Sequence, residues 1–237
     1  MTEKSQDLAM TAILRCMSRQ NSSKNGSTKM VDCIIIAGAD MNTDCVDSSS
    51  FDGKYMICAD RGVTHAQKLG VSPDLIVGDF DSLGFVPQAD CRIMQFKPEK
   101  DDTDLMIAVK EAVKLGYKSL LIYAALGGRL DHTFASFQTL AYALGHGVKS
   151  QLVSENEIVE LFDPGEYTIK RKDGYSLSLF SFSEKVTGLS ISGAKYEVTD
   201  AELTNSFPLG VSNEVVGPNA VVSFKSGRLL VIQSLLQ

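Results

Sequence analysis

Short apolar runs alternate with amphipathic stretches along residues 33–150. The runs are rich in β-branched residues, and several end at Gly or Asp, which is typical of buried strands. They are Cys33–Ala37, Tyr55–Ala59, Asp74–Val77 and Ser119–Tyr123. Between them, helical spacing of apolar residues predicts helices over Val63–Leu69, from Asp101–Asp104 to Gly116, and over Asp131–Leu144. Strands that alternate with helices predict an α/β domain with a mainly parallel sheet.

The pattern changes after about residue 154, where helical spacing disappears. Short strand-like segments follow one another, separated by turns that contain Pro-Gly, Asp-Gly or Ser-Gly. The segments are Glu157–Phe162, Glu166–Lys170, Tyr175–Phe182, Val186–Ile191, Ala220–Phe224 and Arg228–Gln233. We therefore predict an α/β domain over 31–154 and an all-β domain over 155–237. Residues 1–30 are rich in Ser, Asn, Lys and Gln and are expected to form a polar extension outside the core.

Composition and charge argue against several classes of protein. The 237 residues carry 23 Lys and Arg against 29 Asp and Glu, a net charge of −6. Such a chain, without a basic cluster, is a poor nucleic-acid binder. The longest apolar run, Leu120–Leu126, is too short to cross a bilayer. The 5 cysteines are scattered and the 3 histidines lack zinc-ligand spacing, so we expect free thiols and a cytoplasmic protein.

Several aspartates directly follow predicted strands. Asp60 follows one strand, and Asp79 and Asp81 follow another, within Gly78-Asp-Phe-Asp-Ser82. The carboxyl ends of strands in an open parallel sheet are where ligands bind. In extended backbone, Asp79 and Asp81 would project to the same side. Converging carboxylates need a cation, and hard oxygen ligands indicate Mg²⁺ or Ca²⁺, with Mg²⁺ and a substrate phosphate as the usual arrangement. We expect Asp74 and Asp90 to be ordinary loop acids.

A second candidate element, Gly127-Gly-Arg-Leu-Asp-His132, joins a strand to a helix. Two glycines allow close approach of the backbone to a ligand, and Arg129 offers a planar group suited to phosphate. Asp131 has three open roles: capping the helix, orienting Arg129 or joining a metal site. Neither standard phosphate-binding loop occurs in the chain, so nucleotide binding would use another arrangement.

The order of these motifs resembles the thiamine pyrophosphokinase family. The resemblance rests on five segments and runs from about Val31 to the C-terminus. The segments are Ala59-Asp-Arg-Gly62, Leu69 to Leu83, Lys100-Asp-Asp-Thr-Asp104, Gly127 to His132, and Leu209-Gly-Val-Ser-Asn213. It implies an α/β domain joined to a β-sandwich, in a homodimer with the active site near the subunit interface. The implied substrates are ATP, with Mg²⁺, and thiamine, and the implied products are thiamine diphosphate and AMP.

The resemblance also implies roles for individual residues. The acids expected to hold Mg²⁺ and the triphosphate are Asp79, Asp81 and Asp104. The nucleotide and phosphate pocket would be lined by Asp60, Lys100, Thr103, Arg129 and Asp131. Ser212 and Asn213 match the dipeptide expected to contact the thiamine pyrimidine.

The chain departs from the family pattern at two places. Arg61 stands where the family usually has Gly, and it either contacts phosphate or stays solvated. Some members place a Trp against thiamine; this chain has none, which leaves Phe207 or Tyr196 as candidates. Two other functions also fit the residues: a Mg²⁺-dependent kinase or nucleotidyltransferase for another small alcohol, and a ligand-sensing module without catalysis. ATP consumption that depends on the acceptor separates an enzyme from a sensor.

Overall fold

The computed structural model describes residues 32–81, 84–87, 89–97 and 101–236. The predicted extension over 1–30 therefore lies outside the described residues, as do Ser82, Leu83 and Lys100. The chain divides into two compact units, one ending at Glu155 and the other beginning at Asn156. Each unit is described separately below.

The first unit is an α/β layer structure built on parallel strands. Its strands are β1 (Cys33–Ile36), β2 (Tyr55–Ala59), β3 (Leu75–Gly78), β4 (Arg92–Gln95), β5 (Ser119–Tyr123) and β6 (Lys149–Val153). Their spatial order is β6-β5-β1-β2-β3-β4, and every pairing in this series is parallel. The helices are α1 (Gly62–Lys68), α2 (Asp104–Lys114) and α3 (Leu130–Gly145). Two 3₁₀ turns, Thr43–Cys45 and Ser48–Phe51, lie between β1 and β2.

The centre of this sheet is fully apolar, as continuous β-branched runs predict. All residues of β1, β2 and β3 are buried. One face of the sheet packs with Val63 and Ala66 of α1, and Cys58 in the middle of β2 has no exposed surface there. Strands β1 to β3 also pack against α2, and α3 packs against α2 and β6. The helices thereby fix the loops at the carboxyl ends of the strands.

The second unit consists of two antiparallel sheets around one core. Its strands are β7 (Glu157–Phe162), β8 (Gly165–Lys170), β9 (Tyr175–Ser181), β10 (Lys185–Ser192), β11 (Val198–Thr204), β12 (Gly210–Asn213), β13 (Asn219–Phe224) and β14 (Leu229–Leu235). One sheet has the order β12-β9-β14-β7 and the other β11-β10-β13-β8. Leu177 and Val231 of the first sheet share a core with Leu189 and Val222 of the second. Residues 156–236 contain no helix.

The predicted fold class is confirmed: a mainly parallel α/β unit precedes an all-β, sandwich-like unit. Strands β2, β5 and β7 have the predicted bounds. Strands β4, β6, β11 and β12 were not predicted from the sequence. No helix of the described ranges has the length and apolar character needed to cross a bilayer.

Candidate active site

A cleft of about 540 Å³ opens in the first unit beyond the carboxyl ends of β1, β2 and β5. The loop after β1 contributes Ala37 to Asp40, and the loop after β5 contributes Gly127, Gly128 and Arg129. The segment Ala59 to Arg61 at the end of β2, Thr103 and the first turns of α2 and α3 also line it. A concave site of this size at strand carboxyl ends is typical of small-molecule and nucleotide binding.

Asp60, the residue after β2, lines this cleft in a strained conformation. Its φ angle is 46°, in the left-handed region, and its backbone N–H donates to the Val77 carbonyl oxygen at 2.8 Å. Gly78 makes this arrangement possible, because a Cβ there would lie 3.1 Å from the Asp60 Cα. Non-glycine residues held at positive φ cluster at functional sites, so the strain marks Asp60 as a candidate ligand-binding residue.

The acids after β3 are arranged differently from the prediction. The backbone is not extended between Asp79 and Asp81, because Phe80 adopts a φ of 64° and buries its ring in the core. The turn lets the Asp81 N–H donate to Asp79 Oδ1 at 3.2 Å, leaving Asp79 half-buried and Asp81 exposed. Neither lies among the residues that line the cleft. The premise that the backbone is extended between Asp79 and Asp81 is therefore wrong.

The N-terminus of α2 brings two of the predicted residues into the cleft. Thr103 is the N-cap, and its hydroxyl accepts from the Met106 N–H at 3.2 Å. Asp104 is the first residue of the helix, half-buried and within the cleft lining. Capping by Thr103 leaves Asp102 available for an ion pair with Lys110 at 2.6 Å. Helix capping is therefore the role of the Thr103 hydroxyl.

The loop after β5 places Arg129 at the edge of the cleft. Gly127 and Gly128 have φ angles of 82° and 68°, which only glycine adopts readily. Arg129 donates to both Asp131 oxygens, at 2.6 and 3.2 Å. This pairing lowers the pKa of the exposed Asp131 carboxyl below its usual value, together with the His132 backbone N–H. Of the contacts that the three roles of Asp131 would require, the structure shows the one with Arg129, and His132 lines the cleft.

Asp40 lines the cleft although no role was predicted for it from the sequence, and Arg61, expected either to contact phosphate or to stay solvated, lies beside it. Asp40 follows β1, and its carboxylate lies 3.6 Å from the Arg61 guanidinium. Arg61 precedes α1 and is about half exposed within the cleft. The sequence offered a reason to consider Asp40, because it lies in the loop after a buried apolar run, and Asp60 likewise follows β2.

The cleft thus gathers only part of the predicted site. Asp60, Thr103, Asp104 and Arg129 line it, and Asp79, Asp81 and Asp131 do not. Within the described ranges, no three side chains of His, Cys, Asp or Glu lie close enough together to enclose a metal ion.

The predicted thiamine dipeptide lies on β12 of the second unit, and its two residues differ in environment. Ser212 is exposed, has a φ of 60°, and its N–H donates to the Ser178 hydroxyl at 3.1 Å. Asn213 is buried, and its amide group binds the main chain of Tyr196 through Oδ1 at 2.9 Å and Nδ2 at 2.8 Å. The Asn213 side chain therefore holds the segment that carries Tyr196, while Ser212 is exposed.

Large apolar side chains are exposed around this dipeptide. Phe207, Leu209 and Val211 precede or lie on β12, and Tyr196 and Val216 lie on the flanking segments. Both candidate aromatic residues are accessible, with 65% of Phe207 and 61% of Tyr196 exposed. Apolar exposure of this kind marks a surface that binds a ligand or a partner.

Comparison with known proteins gives the same family for both units. A family model described as "Thiamin pyrophosphokinase, catalytic domain" matches residues 49–152. A second, described as "Thiamin pyrophosphokinase, vitamin B1 binding domain", matches residues 166–229. Together the two matches cover more than half of the chain.

Individual relatives agree with these matches. The chain is 29% identical over 184 residues to thiamine pyrophosphokinase of Bacillus subtilis, covering 75% of this chain and 86% of the relative. The crystal structure of thiamine pyrophosphokinase from Bacillus subtilis has a TM-score of 0.77 at 26% identity, covering 87% of this chain and 100% of the other. That of thiamin pyrophosphokinase from Geobacillus thermodenitrificans has a TM-score of 0.74 at 27% identity, covering 86% and 97%. The chain belongs to the thiamin pyrophosphokinase family.

Proposed function

We propose that this protein transfers the pyrophosphoryl group of ATP to the hydroxyl of thiamine, giving thiamine diphosphate and AMP. The observation that carries the proposal is the match of the family's catalytic and vitamin B1 binding models, in that order, to the two units. In this proposal residues 31–154 bind ATP and Mg²⁺, and residues 155–237 bind thiamine.

The cleft in the first unit is the proposed ATP site. Arg61 and Arg129 supply positive charge at its edge, and Thr103 and Asp60 supply polar groups within it. Backbone N–H groups at the N-terminus of α2 favour a nearby anion. Lys100 is proposed as a further phosphate ligand on its position in the family motif, and Asp131 as the group that orients Arg129.

The donor set of this region fits Mg²⁺. Asp104 in the cleft and Asp79 on the loop after β3 are half-buried carboxylates, the hard oxygen donors that Mg²⁺ prefers. Mg²⁺ is usually held by one or two carboxylates together with substrate phosphates, so a complete protein cage is not required. We assign the ligand role to Asp79, Asp81 and Asp104. When bound, the ion would neutralise charge on the transferring phosphoryl group.

The remaining catalytic work of the chain is positioning. Transfer to thiamine needs the attacking hydroxyl, the β-phosphorus and the leaving oxygen in line, with developing negative charge compensated. Arg129, oriented by Asp131, presents a planar donor pair suited to phosphate oxygens. A carboxylate among such cations has a lowered pKa and is a weak proton acceptor. We therefore propose that orientation contributes more than general-base catalysis.

Thiamine binding is proposed at the exposed surface around β12. The Ser212 hydroxyl would hydrogen-bond the pyrimidine, and Asn213 would act mainly by holding the Tyr196 segment. Phe207 and Tyr196 are both exposed enough to stack on the ligand. Because β12 is an edge strand flanked by apolar side chains, we also propose that this surface meets a second copy of the chain, placing the active site near the interface of a homodimer.

A cytoplasmic location is part of the proposal. The cysteines of the described residues, Cys33, Cys45, Cys58 and Cys91, are free thiols. Free thiols persist in reducing compartments, which supports this assignment.

A nucleotide assay tests the reaction type. The purified protein is incubated with ATP, Mg²⁺ and thiamine, and the nucleotides are separated by anion exchange. We expect AMP in a one-to-one ratio with thiamine diphosphate, and no ATP consumption without thiamine. ADP with thiamine monophosphate would indicate a γ-phosphoryl kinase, and binding without turnover would indicate a sensor.

Variants of the acids test the Mg²⁺ assignment. Asp79→Asn, Asp81→Asn and Asp104→Asn are each expected to lower kcat by about 10²-fold, the scale of losing a transition-state charge contact. Asp90→Asn is the matched control, since Asp90 is an exposed loop acid outside the cleft lining. An equal loss of kcat in Asp90→Asn would overturn the distinction between the proposed Mg²⁺ ligands and ordinary loop acids.

A further inference from the structure

The loop that follows β1 is held at Ala39, where both the backbone N–H and the backbone carbonyl oxygen form hydrogen bonds. The Ala39 N–H donates to the Ala124 carbonyl oxygen at 2.8 Å, and the Ala39 carbonyl oxygen accepts from His65 Nε2 at 2.9 Å. The first bond ties the loop to the end of β5, and the second ties it to α1. Residues 37–40 all line the cleft, so these two bonds set the position of one cleft wall.

The start of the loop is also held by the Ala37 N–H, which donates to the Tyr123 carbonyl oxygen at 2.9 Å, whereas side chains add few restraints. Ala37, Gly38 and Ala39 carry no side chain that can reach a distant partner, and Asp40 makes an ion pair with Arg61 at 3.6 Å. An ion pair between exposed groups at this distance contributes little. The hydrogen bond from His65 is therefore the principal side-chain restraint on this wall of the cleft.

His65 is a polar residue buried in the core of the first unit, with one ring nitrogen left without a hydrogen bond in the described part of the chain. Its exposure is only 5%, and Nδ1 is buried without a hydrogen-bond partner among the described residues. A carbonyl oxygen can only accept, so Nε2 carries the proton and Nδ1 is a bare acceptor. A buried, unsatisfied nitrogen costs free energy that an aliphatic residue would avoid. Retaining imidazole here is therefore explained by the bond to Ala39 and not by packing.

Burial is the main influence that favours the neutral form of the ring. Burial lowers the pKa of His65, and the positive charges of Lys68 and Arg61 lower it further, while the Ala39 carbonyl oxygen and Asp40 act in the opposite direction. The neutral ring donates one hydrogen bond in a fixed direction, which suits a positional restraint.

We propose that His65 is a positioning residue, which holds the Ala37–Asp40 loop in the conformation that accepts the nucleotide. The proposal rests on the proposed function, since it takes the cleft to be the ATP site. His65 does not line the cleft itself and acts through the Ala39 carbonyl oxygen.

Three variants test this role. His65→Gln keeps an N–H donor at about the distance of Nε2, and His65→Leu fills the space without a donor. Gln67→Ala is the control on the same helix, because Gln67 is exposed and outside the cleft lining. Hydrogen exchange of individual amides is measured by NMR in each protein, and KM for ATP and for thiamine is measured alongside it.

In His65→Leu, we expect the Ala39 amide to exchange roughly tenfold faster, and the amide of Leu69, which caps the C-terminus of α1, to keep its wild-type rate. KM for ATP should rise about tenfold, the effect of one lost hydrogen bond, with KM for thiamine within twofold. His65→Gln should recover most of both changes, and Gln67→Ala should match the wild type. A merely structural role predicts a different result, in which exchange and both KM values change together and Gln gives no recovery.

Failure of this inference is distinguishable from failure of the proposed function. If wild-type protein releases no AMP with thiamine, the function is wrong, yet the Ala39 amide still reports whether His65 restrains the loop. Equal Ala39 exchange in the Leu and Gln variants would overturn the inference even in a fully active enzyme.

Discussion

Gly62 at the start of α1 is the position where a single methyl group should disturb the cleft most directly. A Cβ at this residue would lie 2.0 Å from the Ile36 carbonyl oxygen and 3.0 Å from the Ala37 carbonyl oxygen. Both contacts are with backbone at the end of β1, which cannot rotate away as a side chain would. Gly62→Ala therefore forces α1 and β1 apart.

The size of the displacement follows from these distances. Restoring an ordinary separation of about 3.5 Å requires a movement of roughly 1.5 Å at the closest contact. Overpacking of this kind lowers the free energy of unfolding by about 1–3 kcal/mol. The movement also shifts Arg61 and His65 relative to the Ala37–Asp40 loop. A misplacement of about 1 Å in an active site costs on the order of 10²-fold in rate, so we expect kcat/KM for ATP to fall by that factor.

Gly116→Ala provides a control of similar stability. Gly116 follows α2 with a φ of 89°, and a Cβ there would meet no atom within 4 Å. Left-handed strain should lower its free energy of unfolding by about 1–2 kcal/mol without moving the cleft. Urea unfolding and the rate of AMP formation are measured for both variants. A folded Gly62→Ala protein with wild-type kcat/KM would refute the claim that this approach of helix to strand sets the cleft.

The remaining predictions concern the dipeptide on β12 and the buried histidine. Ser212→Ala should raise KM for thiamine about tenfold with little change in urea midpoint, since Ser212 is an exposed residue. Asn213→Ala should instead lower the free energy of unfolding by about 1–3 kcal/mol, because the main chain of Tyr196 loses its partners. Equal loss of stability in both variants would contradict this division. Because the folded-state pKa of His65 lies below its usual 6.5, the unfolded chain binds the proton first as pH falls. The free energy of unfolding of wild type, measured relative to that of His65→Gln, should thus be highest above about pH 6.5 and fall below it, as urea unfolding at about pH 7.5 and 5.5 would show; a constant difference would contradict it.

The strands that the sequence predicts well are those whose own residues show the pattern of a strand. The β2 run Tyr55–Ala59 is continuously apolar and fully buried, so its periodicity and its burial agree. β4, Arg92–Gln95, lies at the sheet edge with no buried residue, and β12 is four residues long with Gly and Ser. Such segments become strands because they pair with a neighbouring strand. The sequence alone does not indicate which segment that neighbour is.

In the candidate site, too, the sequence predicts what depends on neighbouring residues and misses what depends on distant ones. Asp60 was identified correctly as a residue that follows a strand, because that argument needs only the strand. The turn at Phe80 depends on the space that its ring fills in the core, and the role of Asn213 depends on Tyr196, which is 17 residues away. The importance of His65 arises from Ala39, 26 residues earlier in the chain. These partners become visible only once the chain is folded.

The burial of Cys58 gives the protein an internal chemical reporter of unfolding. Its thiol has no exposed surface and a raised pKa, so an alkylating reagent finds neither access nor thiolate while β2 remains in the sheet. Cys45 is exposed and can react in the folded state, which provides a reference within the same unit. Brief alkylation followed by peptide mass spectrometry would therefore record how often the α/β sheet opens, without an added dye or an engineered label.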